Sequence, residues 1–505
     1  MGHTGLDTDV VIAGAGPTGL MLACELRLAG VDVVVVERLA RRTGESRAGG
    51  MHARTLEVLD QRGVLDRFLA LGELQSVGHF SGIWLDFDES ESRHPRPLMI
   101  LQSTVERLLE EWAAELGVRV RRSSELSGIH QDRDGVTVEL GTARSAAETL
   151  RARYLVGCDG GRSTVRKLSG IDFPGTPATM TAMVGDVELP DLTEEYIWAR
   201  RRPTGEFSVI AFEPGWYRVI TSEYDHVADG DEPATFEQLR DSLVRLAGTD
   251  YGMHSPRWVS RFGDAARQAA RYRDGRVLLA GDAAHIHFPA GGQGLNVGVQ
   301  DAVNLGWKLA SVVREQAPDS LLDSYHAERH PVAERVLHNT RAQAALTRPG
   351  PQTDALRDVF GSLIVFDDVN RYLCGMLTGL DIRYPIEGDH PLTGRRVPDA
   401  DLKTPAGLIG VHELLHAARP VLLDLRGGAE PPATVEGWRD RVDLVRARSE
   451  DDHWPVPGGG DIPAPAALLI RPDGHVAWVA PTDAAVASAS LRTALTTWFG
   501  PPERG

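Results

Sequence analysis

At 505 residues the chain is long for one domain, and two or three are expected, each able to bury a core. A formal net charge of -17 argues against nucleic acid as a partner, because a phosphate backbone needs a basic surface, and 42% hydrophobic with 25% charged residues is ordinary for a soluble globular protein. Cys24, Cys158 and Cys374 form no CxxC pair and no metal spacing, no apolar run reaches the roughly 18 residues of a membrane span, and no signal-peptide pattern opens the chain, so a reduced, cytoplasmic protein is expected.

After a short polar lead, Asp9–Ala13 (DVVIA) reads as a buried strand that runs into Gly14-Ala-Gly16-Pro17-Thr18-Gly19. Leu20–Leu28 is apolar with helical spacing, Gly30 stops it, and Val31–Val36 is a second strand ending at Glu37. Strand, glycine turn, helix, strand and acid each have a task in binding a dinucleotide. Gly14 allows the tight turn, Gly16 lets backbone approach a pyrophosphate, and Gly19 lets helix and strand pack closely. The helix N-terminus offers free N–H groups to the phosphates, and Glu37 would accept hydrogen bonds from ribose hydroxyls.

Residues 38–50 (RLARRTGESRAGG) predict an arginine-rich loop, with Arg47 a phosphate or flavin contact or simply part of a solvated basic loop. Met51–Phe68 reads as helix interrupted at Gly63, and Gly78–Met99 as a hairpin with solvent on one side. A helix to about Leu116 opens near Gln102, capped by Ser103 or Thr104, and Gln102 would reach a cofactor from there. Strands follow at Val118–Val120, Gly135–Leu140 and Arg153–Cys158, the last running into Asp159-Gly160-Gly161-Arg162-Ser163, which turns on glycines and enters a helix at Ser163.

From about Pro174 to Arg271 the runs alternate as in an antiparallel sheet with one covered face: Thr181–Leu189, Phe207–Phe212, Trp216–Ser222 and Arg257–Arg261, with a helix at Phe236–Leu246. This predicts a second domain inserted between two halves of the first, its sheet roofing a pocket. Trp198, Phe207, Phe212, Trp216, Tyr217 and Tyr224 would line that pocket or pack in the core.

Arg276–Ala280 is a further buried strand. It delivers Asp282 at its C-terminal end, and a glycine-rich turn (HFPAGGQG) and a long helix from near Gly294 follow. A carboxylate there would hold a ribityl hydroxyl, and the helix N-terminus would stabilise negative charge on a reduced flavin. His285 and His287 form an HxH pair with no third metal ligand at a sensible spacing, so satisfied polar groups are the reading. Ser320–Asn339 is helical in pattern, with a break or a new start expected at Pro331. Beyond His390, strands at Pro420–Leu425, Val442–Arg446, Ala466–Ile470 and Val476–Val479 and a final helix at Ala487–Phe499 resemble a thioredoxin-like domain without redox cysteines.

Three separated motifs, GAGPTG with Glu37, CDGGRSTVR at 158–166 and GDAAHIHFPAGGQGLN at 281–296, together resemble the FAD-dependent aromatic hydroxylases of the para-hydroxybenzoate hydroxylase type over roughly residues 7–345. Further details, YRDGRVLLAGDAAHIHFPAGGQGLN, LLDSYHAERHPVAERVL and GLDIRYP, resemble the branch acting on aromatic polyketides of the angucycline, anthracycline and tetracycline types. The resemblance implies an α/β fold: a Rossmann-like FAD-binding domain in two parts (residues 1–175 and 271–390), an inserted α+β substrate domain (176–270) and a thioredoxin-like domain (391–505). It implies that Gly14, Gly16, Pro17, Thr18 and Gly19 seat the FAD pyrophosphate, and that Glu37 binds the adenosine ribose with Arg38 beside it. Arg47 and Gln102 would contact phosphates and ribityl chain, Leu126 would lie near the adenine, and Asp159 with Arg162 would serve both FAD and the nicotinamide cofactor. Asp282 would hold the ribityl chain, and Pro289, Gly292, Gly294, Leu295 and Asn296 would face the isoalloxazine.

The activity so implied is a monooxygenase with non-covalent FAD. NADPH or NADH binds transiently and reduces the flavin, and molecular oxygen then gives a C4a-hydroperoxide that hydroxylates an electron-rich ring of a polycyclic aromatic polyketide. The rifampicin monooxygenases fit nearly as well, and Baeyer–Villiger insertion is a second outcome of the same chemistry. The flavin halogenases are disfavoured because Gly82-Ile-Trp84-Leu lacks their WxWxIP pattern. No general base is legible, and a monomer or homodimer is expected.

Overall fold

The computed structural model describes residues 5–88, 90–142, 145–194, 197–224, 226–228, 233–426, 433–456, 460–481 and 484–503. Its largest sheet carries the strand order Arg273–Asp274, Val277–Leu279, Ser145–Gly157, Thr8–Ala13, Val33–Val36 and Arg119–Arg121, and Glu125–Gln131 and Val136–Thr142 extend it from the long strand Ser145–Gly157. From Val277–Leu279 to Arg119–Arg121 the neighbours are parallel. Parallel strands are covered on both faces, which is why Val10, Val11 and Ile12, and likewise Val33 to Val36, are buried in succession rather than in alternation. Ala13 lies between Val36 and Gly157, and Gly157 lies beside Leu279. The chain therefore leaves four adjacent strands at one edge, at Gly14, Glu37, Cys158 and Ala280, the edge where open α/β sheets bind ligands.

Helix Pro17–Leu28 packs on the long helix Gln293–Val313 through small residues. A Cβ on Gly298 would stand 2.4 Å from Thr18 Oγ1, and one on Gly306 2.5 Å from Glu25 Cβ. Side chains at either position would push the helices, and with them the two glycine motifs, apart.

The second sheet is antiparallel, in the order Ile197–Arg202, Gly205–Glu213, Trp216–Tyr224, Met180–Glu188, His254–Gly263. One face packs Met183, Val187, Phe207, Val209 and Val219 against Leu239, Leu243 and Leu246 of helix Phe236–Ala247. That helix starts with a capping box between Thr235 and Gln238. By the two-residue period of strands, Asp186, Glu206, Ser208, Phe212, Arg218 and Trp258 stand on the other face, toward the first sheet's ligand edge.

In the C-terminal region, Asp443–Arg446 and Val421–Asp424 are parallel, while Ala467–Ile470 and Val476–Val479 continue the sheet antiparallel, and helix Ala484–Phe499 follows. This is a thioredoxin-like arrangement. It is joined to the first domain by buried charges. Arg471 donates to both oxygens of Glu328 at 2.7 and 2.8 Å, Lys308 Nζ reaches the same carboxylate at 2.8 Å, and Arg471 also pairs with Asp473. Arg62 grips Glu25 through two bonds of 2.6 and 2.9 Å and donates to Pro472 O and Leu415 O.

Several expectations require correction. The helix at Gln102–Glu115 has Leu101 at its N-cap and no side-chain cap, so Ser103 and Thr104 do not cap it. Its first amides are satisfied across the gap instead, Gln102 N donating to Ala48 O and Ser103 N to Ser46 Oγ. Pro331 does not break its helix, which runs from Asp323 to Thr347. Buried anchors on both sides of the proline, Glu328 and Arg329 before it and Ala333 and Leu337 after it, outweigh the lost backbone bond. The interruption expected at Gly63 is present, its φ of +66° separating the helices Ala53–Asp60 and Leu65–Leu69. The strand Ile197–Arg202 (IWARRR) was not foreseen, because an edge strand with three arginines lacks the apolar alternation.

Candidate cofactor and substrate site

The glycine turn is closed by contacts that admit no side chain. A Cβ on Gly14, at φ +106°, would lie 2.4 Å from Cys158 O, and one on Gly19 only 2.0 Å from Gly14 O. Gly16 and Gly160 behave oppositely: a Cβ there meets nothing within 4 Å. Helix Pro17–Leu28 begins at Gly16 with no side-chain cap, leaving first-turn amides facing the same open space. Glu37 braces the turn, accepting from Ala15 N with Oε2 and from Leu39 N with Oε1, both at 2.9 Å, and each oxygen keeps a lone pair for a ligand hydroxyl. Arg38 is exposed beside it, and Leu126 is buried on the strand Glu125–Gln131.

Gln102 is more committed than its sequence position suggests. Its carbonyl accepts from Ala48 N at 3.1 Å and its amide donates to Glu106 at 2.9 Å, so in this state it clamps the loop 38–50. Arg47 is largely exposed and pairs with Glu45 at 3.2 Å. Asp159 accepts from Thr164 N and Val165 N with one oxygen and leaves the other buried without a partner, while Ser163 caps the short helix after it.

Asp282 stands exposed after the strand Val277–Leu279 and makes no hydrogen bond to the described residues. Beneath it the turn is pinned by Asp301, which accepts from Gly281 N at 3.1 Å, meets His285 Nε2 at 2.7 Å and is held by Arg329 at 2.7 Å. Burial pushes the Asp301 carboxyl up, but Arg329 and the contact with His285 outweigh it and hold the group below the usual range. His287 Nδ1 meets Phe288 O at 2.8 Å. The HxH pair is thus spent on the loop itself.

Gly291 and Gly292 adopt φ of +70° and +64°, and the long helix starts at Gln293 without a side-chain cap, its amides toward the turn of exposed Pro289 and half-buried Gly294 and Leu295. Asn296 ties this turn to the loop across the site: its carbonyl accepts from His52 N at 2.8 Å, and its amide donates to Gly292 O at 2.9 Å and Gly50 O at 3.4 Å. His52 Nε2 adds a 2.7 Å bond to Gly291 O, and its Nδ1 is buried without a partner. Nothing in the sequence singled out His52; a histidine one residue before a helix is unremarkable without the fold. His79, on the hairpin against the same turn, was missed too. Burial pushes it down to about 4, with the neighbouring His52 adding to the effect.

The second sheet covers this edge. Arg218 forms a two-point pair with Asp186 at 2.9 and 3.0 Å, donates to Arg47 O at 3.3 Å and lies 4.5 Å from the ring of Phe212. Phe212 closes on Gly49, where a Cβ would be 2.6 Å from its ring. At the other corner Phe262 meets Phe288 with centroids 5.9 Å apart. Of the aromatics expected on the pocket, Phe207 and Tyr217 belong instead to the core behind the sheet, Trp216 stacks with Arg257, and Tyr224 donates to Thr347 O. The side chain of Trp198 lies outside the described residues.

The residues present fit FAD. Open cradles lie above Gly16 and Gly160, uncapped helix starts stand at Pro17 and Gln293, and the carboxylates of Asp159 and Asp282 keep oxygens that no described residue uses. Comparison with known proteins agrees. Residues 7–340 match the model of the FAD binding domain family, and residues 390–502 that of the aromatic-ring hydroxylase C-terminal family. The chain is 48% identical over 508 residues to the 12-dehydrotetracycline 5-monooxygenase/anhydrotetracycline 6-monooxygenase of Streptomyces rimosus, covering 98% of this chain and 99% of that one. It is 46% identical to a rifampicin monooxygenase of Streptomyces venezuelae, covering 98% and 100%. Among solved structures it matches CabE, an aromatic hydroxylase from angucycline biosynthesis, with a TM-score of 0.91, 46% identity and coverage of 98% and 100%. Among the described residues no helix is long and apolar enough to cross a membrane.

Proposed function

The chain belongs to the FAD-binding aromatic-ring hydroxylases, and from that premise we propose that this FAD-dependent monooxygenase hydroxylates a polycyclic aromatic polyketide in antibiotic biosynthesis, using NAD(P)H and molecular oxygen. The observation that supports the reading is the inner face of the second sheet, which lies over the ligand edge and meets it at two aromatic contacts. These are Phe212 on Gly49 at one end and Phe262 on Phe288 at the other. Along Gly205–Glu213 the residues facing that edge, Glu206, Ser208, Ile210 and Phe212, stay half-buried, while Gly205, Phe207 and Val209 behind are buried. A flat fused-ring ligand would lie between these two extended walls.

When bound, FAD supplies electron uptake from the nicotinamide and activation of oxygen. This chain's residues bind, orient and shield. Gly14, Gly16, Pro17, Thr18 and Gly19 would take the pyrophosphate on backbone amides. Glu37 and Arg38 would hold the adenosine ribose, with Leu126 by the adenine. Gln102 and Arg47 would contact phosphates and ribityl chain, for which Gln102 must trade its bond to Glu106. Asp159 and Asp282 would use their uncommitted oxygens on cofactor hydroxyls, and Arg162 would serve the nicotinamide. The turn Pro289–Asn296 would lie along the isoalloxazine, with the start of helix Gln293–Val313 favouring negative charge beside it. Phe212 and the Arg218–Asp186 pair would exclude water from above. The chain would act as a monomer or homodimer in the cytoplasm.

The test is NADPH oxidation by the purified protein with angucyclinones, anthracyclinones, tetracyclines and rifampicin under oxygen-18. Faster oxidation with a polyketide and one heavy oxygen retained as a hydroxyl is expected. Heavy oxygen in a new lactone would mean insertion beside a ketone, and stimulation by rifampicin alone would move the chain to the antibiotic-inactivating relatives.

A further inference from the structure

The inner face of the second sheet holds two carboxylates with opposite circumstances. Asp186 is saturated by Arg218 and by Trp258 Nε1 at 2.9 Å. Glu206 makes no hydrogen bond or ion pair to any described residue, although arginines surround it. Arg201 stands directly opposite in the antiparallel register, on the same face, at the spacing where cross-strand pairs meet. Yet its guanidinium turns away, donating to Thr347 O and Arg348 O at 2.8 and 2.9 Å and pairing with Asp354 at 2.9 Å. Arg357, from helix Pro351–Ile364, is likewise engaged, giving Nη1 to Ser81 O at 2.7 Å and Leu346 O at 2.9 Å. Tyr224, two residues beyond the Ser222 that faces Glu206, has its hydroxyl committed to Thr347 O at 3.0 Å, and Arg348 lies over its ring.

A half-buried carboxylate whose natural partners are occupied keeps its accepting capacity for something else. Its corner is coupled to the candidate cofactor turn. The Ser81 that holds Arg357 also bonds Gln343 through its amide and hydroxyl, and Gln343 lies against Gly291. On the reading that a polycyclic aromatic ligand lies between the second sheet and the ligand edge, we propose that Glu206 accepts a hydrogen bond from a hydroxyl on that ligand, and so fixes which end of the ring system approaches the turn at Gly291–Gly292. Arg201 and Arg357 hold the field that lets the carboxylate ionise there. Burial raises Glu206 to about 7, and those two arginines oppose the rise. The acceptor is therefore charged above neutral pH and becomes the weaker, uncharged carboxyl below it.

The test measures binding to the FAD-loaded protein from pH 5.5 to 8.5 with two fluorescent probes, 9-phenanthrol and its methyl ether. The phenol remains neutral over that range. The wild type is expected to bind the phenol roughly tenfold tighter at pH 8 than at pH 6, with the ether flat, since one unit of proton affinity corresponds to tenfold. Glu206→Gln, nearly isosteric, is expected to flatten the phenol profile and leave the ether unchanged. A pH step that persists in Glu206→Gln, or equal affinity for both probes at every pH, overturns the assignment while the polycyclic reading stands. Failure of both probes to bind overturns both.

Discussion

At the ligand edge, Gly14 and Gly19 work by leaving side chains out, so that backbone touches backbone and an anion can approach amides. At the seam with the C-terminal region, Arg62, Arg471, Lys308, Glu25, Glu328 and Asp473 fill the space with buried charge. The difference lies in what each region tolerates. A cradle of backbone fails when anything is added, whereas a seam of paired ions fails when anything is taken away, because the surviving charge is stranded in a medium that cannot solvate it.

Additions to the cradle should therefore have the largest effect. Gly19→Val places a branched side chain where even a Cβ is 2.0 Å from Gly14 O. The purified variant is expected to carry no flavin, read from its visible absorbance against protein content; normal yellow protein would show that the turn can shift and that the cradle is not rigid. Next comes a subtraction at the seam. Arg471→Met leaves Glu328 with Lys308 as its one cation beside the Asn304 amide, and Asp473 without its guanidinium, and a loss of about 3–5 kcal/mol in unfolding free energy is expected. A denaturation midpoint within error of the wild type would mean that the seam rests on packing rather than ion pairing.

Asn296 belongs to both kinds, a polar side chain holding backbone together. Asn296→Ala orphans His52 N and removes the tie between Gly292 and Gly50, at a cost of about 1–3 kcal/mol. The loss is expected chiefly as weaker FAD retention on dilution. Equal retention with a lowered melting temperature would place Asn296 on the structural side of the comparison.

The same contrast explains what was legible in the sequence. VVIA, VVVV and the glycines between them are dictated by local constraints, a doubly covered strand and a turn that excludes Cβ, and such constraints leave a pattern within a short window. Glu328 and Arg471 are 143 residues apart, and in a short window each is simply a charged residue, for which the surface is the default. His52 and Glu206 were illegible for the same reason: each gains its meaning from a segment far away in the chain, the turn at Gly291 or the arginines at 201 and 357. Gln102 was found at the right place, but its bonds to Ala48 and Glu106 follow from the loop's path, which composition does not specify.

Acid distinguishes the two regions most finely. His475, at the seam against Tyr384, and His79, beside the candidate cofactor turn, are each pushed down to about 4 by burial. In the unfolded chain both take up a proton near pH 6.5, while the folded state refuses it until about pH 4. Their neutral forms thus contribute stability above pH 6.5, and it is lost as pH falls through the window from 6.5 to 4, by up to about 1.4 kcal/mol per pH unit for each histidine. His475→Gln and His79→Gln are each expected to remove one proton from the slope of unfolding free energy against pH. Only His79→Gln should also change how FAD retention depends on pH, because His475 touches the seam and not the turn. If both variants altered FAD retention alike, the seam and the cradle would be one cooperative unit, and the charge network would be a determinant of cofactor binding as well as of domain attachment.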